Sequence, residues 1–585
     1  VVPSSASVLP QGSQDFSGGK TVVYTLTSND GLSSEWTGRV TCVDDALETI
    51  SSDKLDVLVN KQYPQVYSYT LKGDDPQTID GALNYSTDKI TINNVEYNPY
   101  VSMEKADAST VRYQVTVPGV DPDGNGAAAA REVKFTYEIT VNENTVIKKL
   151  TGLTGDEQGI KFNIKLAGAV LSVASDKTGA QLATNGGTER TENTIYTVSS
   201  ASALDKPDLS YVFISHSGAS GTIYTKYQYN TPYRAVIESS GGNKKAGIYE
   251  TGYNRRLQDG TVPVTETSKG VTEEIGYESY VYICGDANGN GTIDWQDSAL
   301  WVREQIPQVP DDLAGFFEGG NWTQTHGAFP GNGSINASTY KASSSLYSTP
   351  EQLVEIQRQF KNMTDGMGRM GFCYVGWNGR GHDYGWPNIN EVTFNPILGT
   401  ADEFKAEQAK MKEAGGSLGF HLNMTDMTTN SESYLRNQTV SDYGNRLSST
   451  GTYQYRNTFG WSAYKINHFT DYPYALKRQD AFAQRFSIPF ILYQDVMLPY
   501  PKGNYGLLEE QYAMRREIEH WKVLGAYAAT EYYYAEKRTG GQFMMKNYKY
   551  PNIVDEFIIA GQTMFHHTRD YRTLPADYIW ANLYS

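Results

Sequence analysis

Phe490-Ile491-Leu492-Tyr493-Gln494-Asp495-Val496 runs into the helical pattern of Leu507 to Leu524, and that pattern runs into Gly525-Ala526-Tyr527-Ala528-Ala529-Thr530-Glu531. Each flanking run has the length and apolar content of a short buried strand, and each ends on one carboxylate; the stretch between them has the apolar spacing of a crossover helix. Two consecutive parallel strands present Asp495 and Glu531 at the same end. In a β/α barrel that end carries the active site, because the strands fix the side chains while the loops above them vary. A carboxylate pair there suits retaining glycoside hydrolysis, in which one attacks the anomeric carbon and the other protonates the leaving oxygen and later activates water. The competing account is structural, with each acid capping its strand and pairing with an arginine.

Outward from this unit, the helical runs Thr349 to Met363, Thr400 to Ala414 and Tyr474 to Phe486 alternate with strand-like runs Met370 to Gly376 and Ser417 to Asn423. That succession predicts a parallel sheet, most simply a (β/α) barrel over residues 281–585. About five or six strands fit before Ser585, so the expected barrel is incomplete or irregular. Residues 1–280 read differently: short alternating runs such as Thr21 to Thr27, Val111 to Val117, Val133 to Val141 and Tyr224 to Ile237 are broken by Gly, Asn and Asp. They predict a large antiparallel β-sandwich. The fold class is therefore multidomain, β followed by α/β, with an Asp-rich loop opening the second domain.

The 585 residues suffice for about two to four domains. With 39% hydrophobic and 20% charged residues the chain is of ordinary globular composition, and no apolar run is long enough to cross a bilayer. A formal net charge of -16 without a basic stripe argues against nucleic acid as a partner and suits a neutral ligand such as a carbohydrate. The 44 tyrosines offer flat apolar faces with a polar tip, which suit sugar rings, although large extracellular β-domains share the bias. Cys42, Cys284 and Cys373 lack metal-ligand or disulfide spacing and read as buried thiols. The chain opens Val1-Val2-Pro3-Ser4-Ser5 without an initiator Met or signal sequence, so a mature or trimmed product is expected. Loops rich in Asn, Ser, Thr and Gly with low Lys content suit an exported bacterial protein, secreted or held at the cell surface.

Between the two halves lies Asp286-Ala287-Asn288-Gly289-Asn290-Gly291-Thr292-Ile293-Asp294-Trp295-Gln296-Asp297. Asp286, Asn288, Asn290, Thr292, Asp294 and Asp297 fit a calcium-loop template, with Asp in place of the usual Glu at its last position. The alternative is an Asx-rich turn capping the following helix. A structural Ca²⁺ is the cofactor expected, and no organic one. Gly376-Trp377-Asn378-Gly379-Arg380-Gly381-His382-Asp383 follows a strand; its glycines allow close approach to a ligand, His382 and Asp383 supply a donor and an acceptor for sugar hydroxyls, and Trp377 is expected to contact the sugar as well. His421 and Asn423 share a face by the two-residue period, as site wall or as a satisfied core histidine. Trp461, Tyr464 and Asn467 set aromatic rings beside polar groups, for sugar stacking or for core packing.

In order, these segments resemble glycoside hydrolase family 101, the endo-α-N-acetylgalactosaminidases, and the related family 129. The likeness rests on Gly285 to Asp297, Thr364 to Met370, Gly376 to Asp383, Gly419 to Asn423, Gly460 to Asn467, Tyr493 to Asp495 and Thr530-Glu531. The resemblance implies a mutarotase-like sandwich ahead of a catalytic barrel, Asp495 as nucleophile, Glu531 as acid/base, Asp383 holding sugar hydroxyls beside His382, and Trp461 as the aromatic wall. It further implies hydrolysis of mucin-type O-glycans carrying α-linked N-acetylgalactosamine or other galacto-configured sugars. Val496-Met497-Leu498-Pro499 and Tyr532-Tyr533-Tyr534 depart from the family's usual Val-Trp-Gly and Trp beside the two acids. A carbohydrate-binding or adhesin protein on an inactive glycosidase scaffold is the other functional class compatible with these residues.

Overall fold

The computed structural model describes residues 20–27, 33–40, 46–82, 89–121, 126, 129–155, 163–185, 194–209, 211–225, 233–240, 242–254, 277–305, 311–317, 320–330, 344–378, 394–423, 426–428, 454–456, 462–465, 468–495, 507–530 and 543–544. In the N-terminal part, two antiparallel sheets of nine and eight strands face each other across one apolar core that includes Val57, Tyr69, Val115, Phe135, Ile139, Ile223, Ile248 and Val281. Strict alternation builds this core. In Arg131–Asn142 every second residue from Val133 to Val141 is buried, as a sheet with one dry face requires. One charge pair bridges the sheets inside it. Lys148 Nζ lies 3.0 Å from Glu250 Oε1 with side chains only 6% and 14% exposed, and Tyr277 and Ser279 donate to the same carboxylate at 2.8 and 2.7 Å.

The strand Tyr277–Cys284 sits inside the nine-stranded sheet, between Ala219–Thr225 and Thr145–Thr154. Helix α1 (Trp295–Gln305) packs Trp295, Ala299 and Val302 against Ala183, Tyr211 and Phe213 of that sheet, and Ser220 Oγ donates to Ser298 Oγ at 2.8 Å. The expected boundary between residues 280 and 281 thus cuts a strand that is paired on both sides, and the Asp-rich loop together with α1 packs with the sandwich rather than opening the second domain. Alternation alone does not register where a chain leaves a sheet.

After α2 (Asp311–Phe317) come six parallel strands whose spatial order follows chain order: β1 (Gly320–His326), β2 (Arg369–Val375), β3 (Ser417–Asn423), β4 (Ile491–Asp495), β5 (Tyr527–Thr530) and β6 (Phe543–Met544). Crossovers run through α3 (Pro350–Met363), α4 (Ala401–Glu413), α5 (His468–Arg485) and α6 (Leu507–Val523). Thr349 with Gln352 and Thr400 with Glu403 form capping boxes, so α3 and α4 start where an orphan N–H finds a side-chain acceptor. The sheet has two faces. Phe372, Leu418, Phe420, Leu422 and Leu492 pack with the crossover helices; Trp322, Cys373, Val375, Ile491 and Tyr493 pack on the other side with Leu313 and Phe316 of α2. Trp322 fits because β2 and β3 carry glycine beneath it: a β-carbon at Gly371 or Gly419 would overlap its ring. The described sheet is open, so closure into a barrel is not among its features. Among the described residues no helix is long and apolar enough to cross a membrane. Cys284 and Cys373 are buried and form no disulfide among the described residues, and Cys42 lies outside the described residues.

Candidate active site

The parallel register aligns the strand ends. His421 is opposite Tyr493, Leu422 opposite Gln494 and Asn423 opposite Asp495; on the other side of β4, Gln494 is opposite Thr530. Asp495 therefore terminates β4 one residue beyond the line joining Gln494 and Thr530, and Glu531 follows Thr530 in the chain but lies outside the described residues. Below this line the walls are tightly held. His421 is 7% exposed, and its ring lies 5.2 Å, centroid to centroid, from the ring of Tyr493. The His421 carbonyl accepts a 2.7 Å hydrogen bond from Trp377 Nε1.

Trp377 departs from the expectation that it contacts sugar. It is 1% exposed, with its indole edge-on to Phe420, Phe482 and Phe486 at 4.9–5.5 Å. Gly376, at φ +77, turns the chain off β2 with its α-carbon against the Ala328 carbonyl, and this swings the next side chain back into the helix-facing core. Past Trp377 the chain is clamped by a bridge between Asn378 and Phe394, with Asn395 N donating to the Trp377 carbonyl at 2.8 Å. His382 and Asp383 lie in the segment between those bridge residues, outside the described residues. Tyr464 stands on the short strand Ser462–Lys465, which pairs with Asp426–Thr428 just beyond β3; Trp461 and Asn467 lie outside the described residues.

Sequence reasoning missed the polar support behind β4. Gln494, wholly buried, accepts from Trp521 Nε1 at 2.9 Å and donates to Glu517 Oε2 at 3.0 Å. The available signal was a glutamine interrupting an apolar strand next to a Glu-x-x-x-Trp spacing on the crossover helix.

The Asp-rich loop is a set of side-chain oxygens folded onto its own backbone. Asp286 accepts from Asn290 N and Gly291 N at 3.1 and 2.8 Å, Asn288 from Asn290 N at 3.0 Å, Asn290 from Thr292 N at 2.7 Å and Asp294 from Gln296 N at 2.7 Å. Asp297, buried, accepts from Ala287 N, Asn288 N and Asp294 N at 2.9, 3.1 and 2.9 Å. Burial pushes the Asp294 carboxyl above its ordinary range, and the neighbouring Asp297 charge acts in the same direction. These oxygen donors fit a hard divalent cation by type. No group of three or more His, Cys, Asp or Glu side chains is gathered as a metal site among the described residues.

The chain joins an antiparallel sandwich to a sheet of sequential parallel β/α strands, and residues 50–295 match the galactose mutarotase-like fold domain. The resemblance to α-N-acetylgalactosaminidases also stands. The chain is 26% identical over 406 residues to a Renibacterium salmoninarum protein that carries a provisional endo-α-N-acetylgalactosaminidase name, a match spanning 66% of this chain and 24% of that one. The chain thus spans about a quarter of that relative's length. Among solved structures, its fold is similar to the α-N-acetylgalactosaminidase NagBb of Bifidobacterium bifidum in complex with Gal-NHAc-DNJ, with TM-score 0.54, 12% identity and coverage of 86% of this chain and 79% of that one. It is also similar to the galactosidase domain of the α-galactosidase–sucrose kinase AgaSK, with TM-score 0.52, 9% identity and coverage of 90% and 77%.

Proposed function

We propose that this chain is a retaining α-glycosidase acting on α-linked N-acetylgalactosamine or related galacto-configured glycans, as found on mucin-type O-glycans outside the cell. The observation that carries the reading is the register of β3, β4 and β5, in which Asp495 terminates its strand beside Asn423 and one step past the Gln494–Thr530 pair that precedes Glu531. Asp495 attacks the anomeric carbon as the glycosidic C–O bond breaks, and Glu531 gives its proton to the departing oxygen. Glu531 then takes a proton from water, whose oxygen displaces Asp495 and releases the sugar with its anomeric configuration retained. These roles require an ionised nucleophile and a protonated acid at rest. A retaining mechanism requires a separation of about 5 to 5.5 Å between two such carboxyl groups. His382, Asp383, His421, Asn423, Trp461, Tyr464 and Asn467 line the sugar side of the site in this reading.

Hydrolysis of an aryl α-N-acetylgalactosaminide and an aryl α-galactoside tests it, with the anomer of the first-formed product followed by NMR. Turnover with retention that is abolished by Asp495→Asn is the expected result. Initial release of the inverted anomer would refute the covalent route, and binding of sugar without turnover would mark a carbohydrate-binding protein instead. As a second part of the reading, a Ca²⁺ held by the oxygens of Asp286, Asn288, Asn290, Thr292, Asp294 and Asp297 ties the loop to α1 and has a structural role.

A further inference from the structure

Gln494 occupies a helix-facing position of β4 where its neighbours Leu422 and Leu492 are aliphatic and fully packed. An aliphatic side chain would fill such a place without burying an amide, an indole N–H and a carboxylate, all of which must be satisfied in a dry interior. Here they satisfy one another. Trp521 Nε1 donates to Gln494 Oε1, and Gln494 Nε2 donates to Glu517 Oε2; Glu517 and Trp521 are one helical turn apart and so lie on one face of α6. The ties extend to both neighbouring units. The Trp521 carbonyl accepts from Ala526 N at 2.9 Å just before β5, and the Glu517 carbonyl accepts from Gln479 Nε2 of α5 at 3.1 Å. A single cluster thus holds the last step of β4, the entry to β5 and the helix preceding β4.

Apolar ridges tolerate sliding, whereas directional hydrogen bonds fix one axial height. We propose that the Gln494–Trp521–Glu517 clamp is a positioning device for the nucleophile, setting the height of Asp495 on β4 relative to the strand that leads to Glu531; this rests on the glycosidase reading above. The clamp touches neither sugar nor leaving group. Its loss displaces the attacking carboxylate, and a displacement of about 1 Å is enough to cost roughly 100-fold in rate.

The test uses the whole chain and the two aryl glycosides, with kcat, KM and thermal unfolding recorded for Gln494→Met, Trp521→Phe and Glu517→Gln. Gln494→Met, isosteric and apolar, is expected to lower kcat by about 100-fold while KM stays within about threefold. Glu517→Gln keeps an acceptor for the Gln494 amide and is expected to retain kcat within about threefold. Should Gln494→Met fail to fold, Trp521→Phe removes a single bond and reads the same split. A folded Gln494→Met or Trp521→Phe protein with wild-type kcat, or with a raised KM alone, would overturn the positioning role and leave the glycosidase reading intact. A wild-type chain that hydrolyses neither glycoside and is not labelled at Asp495 by a 2-deoxy-2-fluoroglycosyl fluoride would overturn both.

Discussion

Trp377 Nε1 donates to the main-chain oxygen of His421 across 2.7 Å, so a side chain just beyond β2 is fastened to the backbone two residues short of the end of β3. That bond gives Trp377 a role behind the site wall. Trp377→Phe keeps most of the aromatic packing and removes the donor. It is expected to reduce stability by about 1 kcal/mol, read from the urea midpoint, with Trp377→Ala costing about 3–5 kcal/mol. Equal midpoints for wild type and Trp377→Phe would show that the bond is energetically silent.

The acid/base assignment predicts a dependence on the leaving group. Glu531→Gln should slow hydrolysis of a poorly activated α-glycoside by about 10²–10⁴-fold, while a dinitrophenyl glycoside, whose departure needs no proton, loses far less in its first step. Identical losses on both substrates would remove Glu531 from the acid role.

Within the sandwich, Lys148→Met strands the Glu250 carboxylate among Tyr277 and Ser279 in the core. A loss of about 3–5 kcal/mol is expected in chemical denaturation, and adding Glu250→Gln should restore part of it, because the buried charge is then gone. Additive losses in the double variant would mean that the two groups are not energetically coupled.

His216 gives the fold an acid sensitivity. Its Nδ1 accepts from Gly218 N and its Nε2 faces the Thr78 carbonyl, each at 3.0 Å, so the neutral ring with the proton on Nε2 satisfies both. Burial holds its pKa below the ordinary value of 6.5; Lys177 adds to this, while Thr78 and Asp80 oppose it. With the folded pKa depressed, the stabilisation is full above the unfolded value and is lost as pH falls from there through the folded value. The melting temperature should drop as the pH is lowered below about 6.5, less steeply for His216→Asn than for wild type. Parallel pH profiles for the two proteins would exclude His216 as the source.

If the loop between the sandwich and α1 takes up calcium, chelation should lower the melting temperature and millimolar Ca²⁺ restore it, with Asp286→Ala abolishing the difference. Indistinguishable melts with chelator and with calcium would leave the loop as a network of Asx turns.

Much of the second domain was legible because its elements obey one rule each. Ser417–Asn423 and the helix beginning at Leu507 coincide with the apolar runs that predict them. The first strand of the sheet was not legible: Gly320–His326 contains Asn, two Thr, Gln and His around a single Trp. Its burial depends on tertiary partners, with Trp322 filling the space above Gly371 and Gly419, and no pattern within the strand announces that. Helix α5 begins at His468, ahead of the expected Tyr474, and so includes Pro473 within its first turns. In the site, Asp495 was legible as a strand-terminal acid, whereas the Trp377 orientation follows from the positive φ of Gly376 and could not be read from residue types.

The docking of α1 on the nine-stranded sheet determines how the molecule can be dissected. A fragment starting at residue 281 would begin midway through the strand Tyr277–Cys284, depriving the sandwich of a central ribbon and leaving Trp295, Ala299 and Val302 as an exposed, sticky stripe. Dividing the chain after Gln305 instead leaves each apolar cluster of the described residues whole within one half, so separately expressed halves are to be sought at that seam.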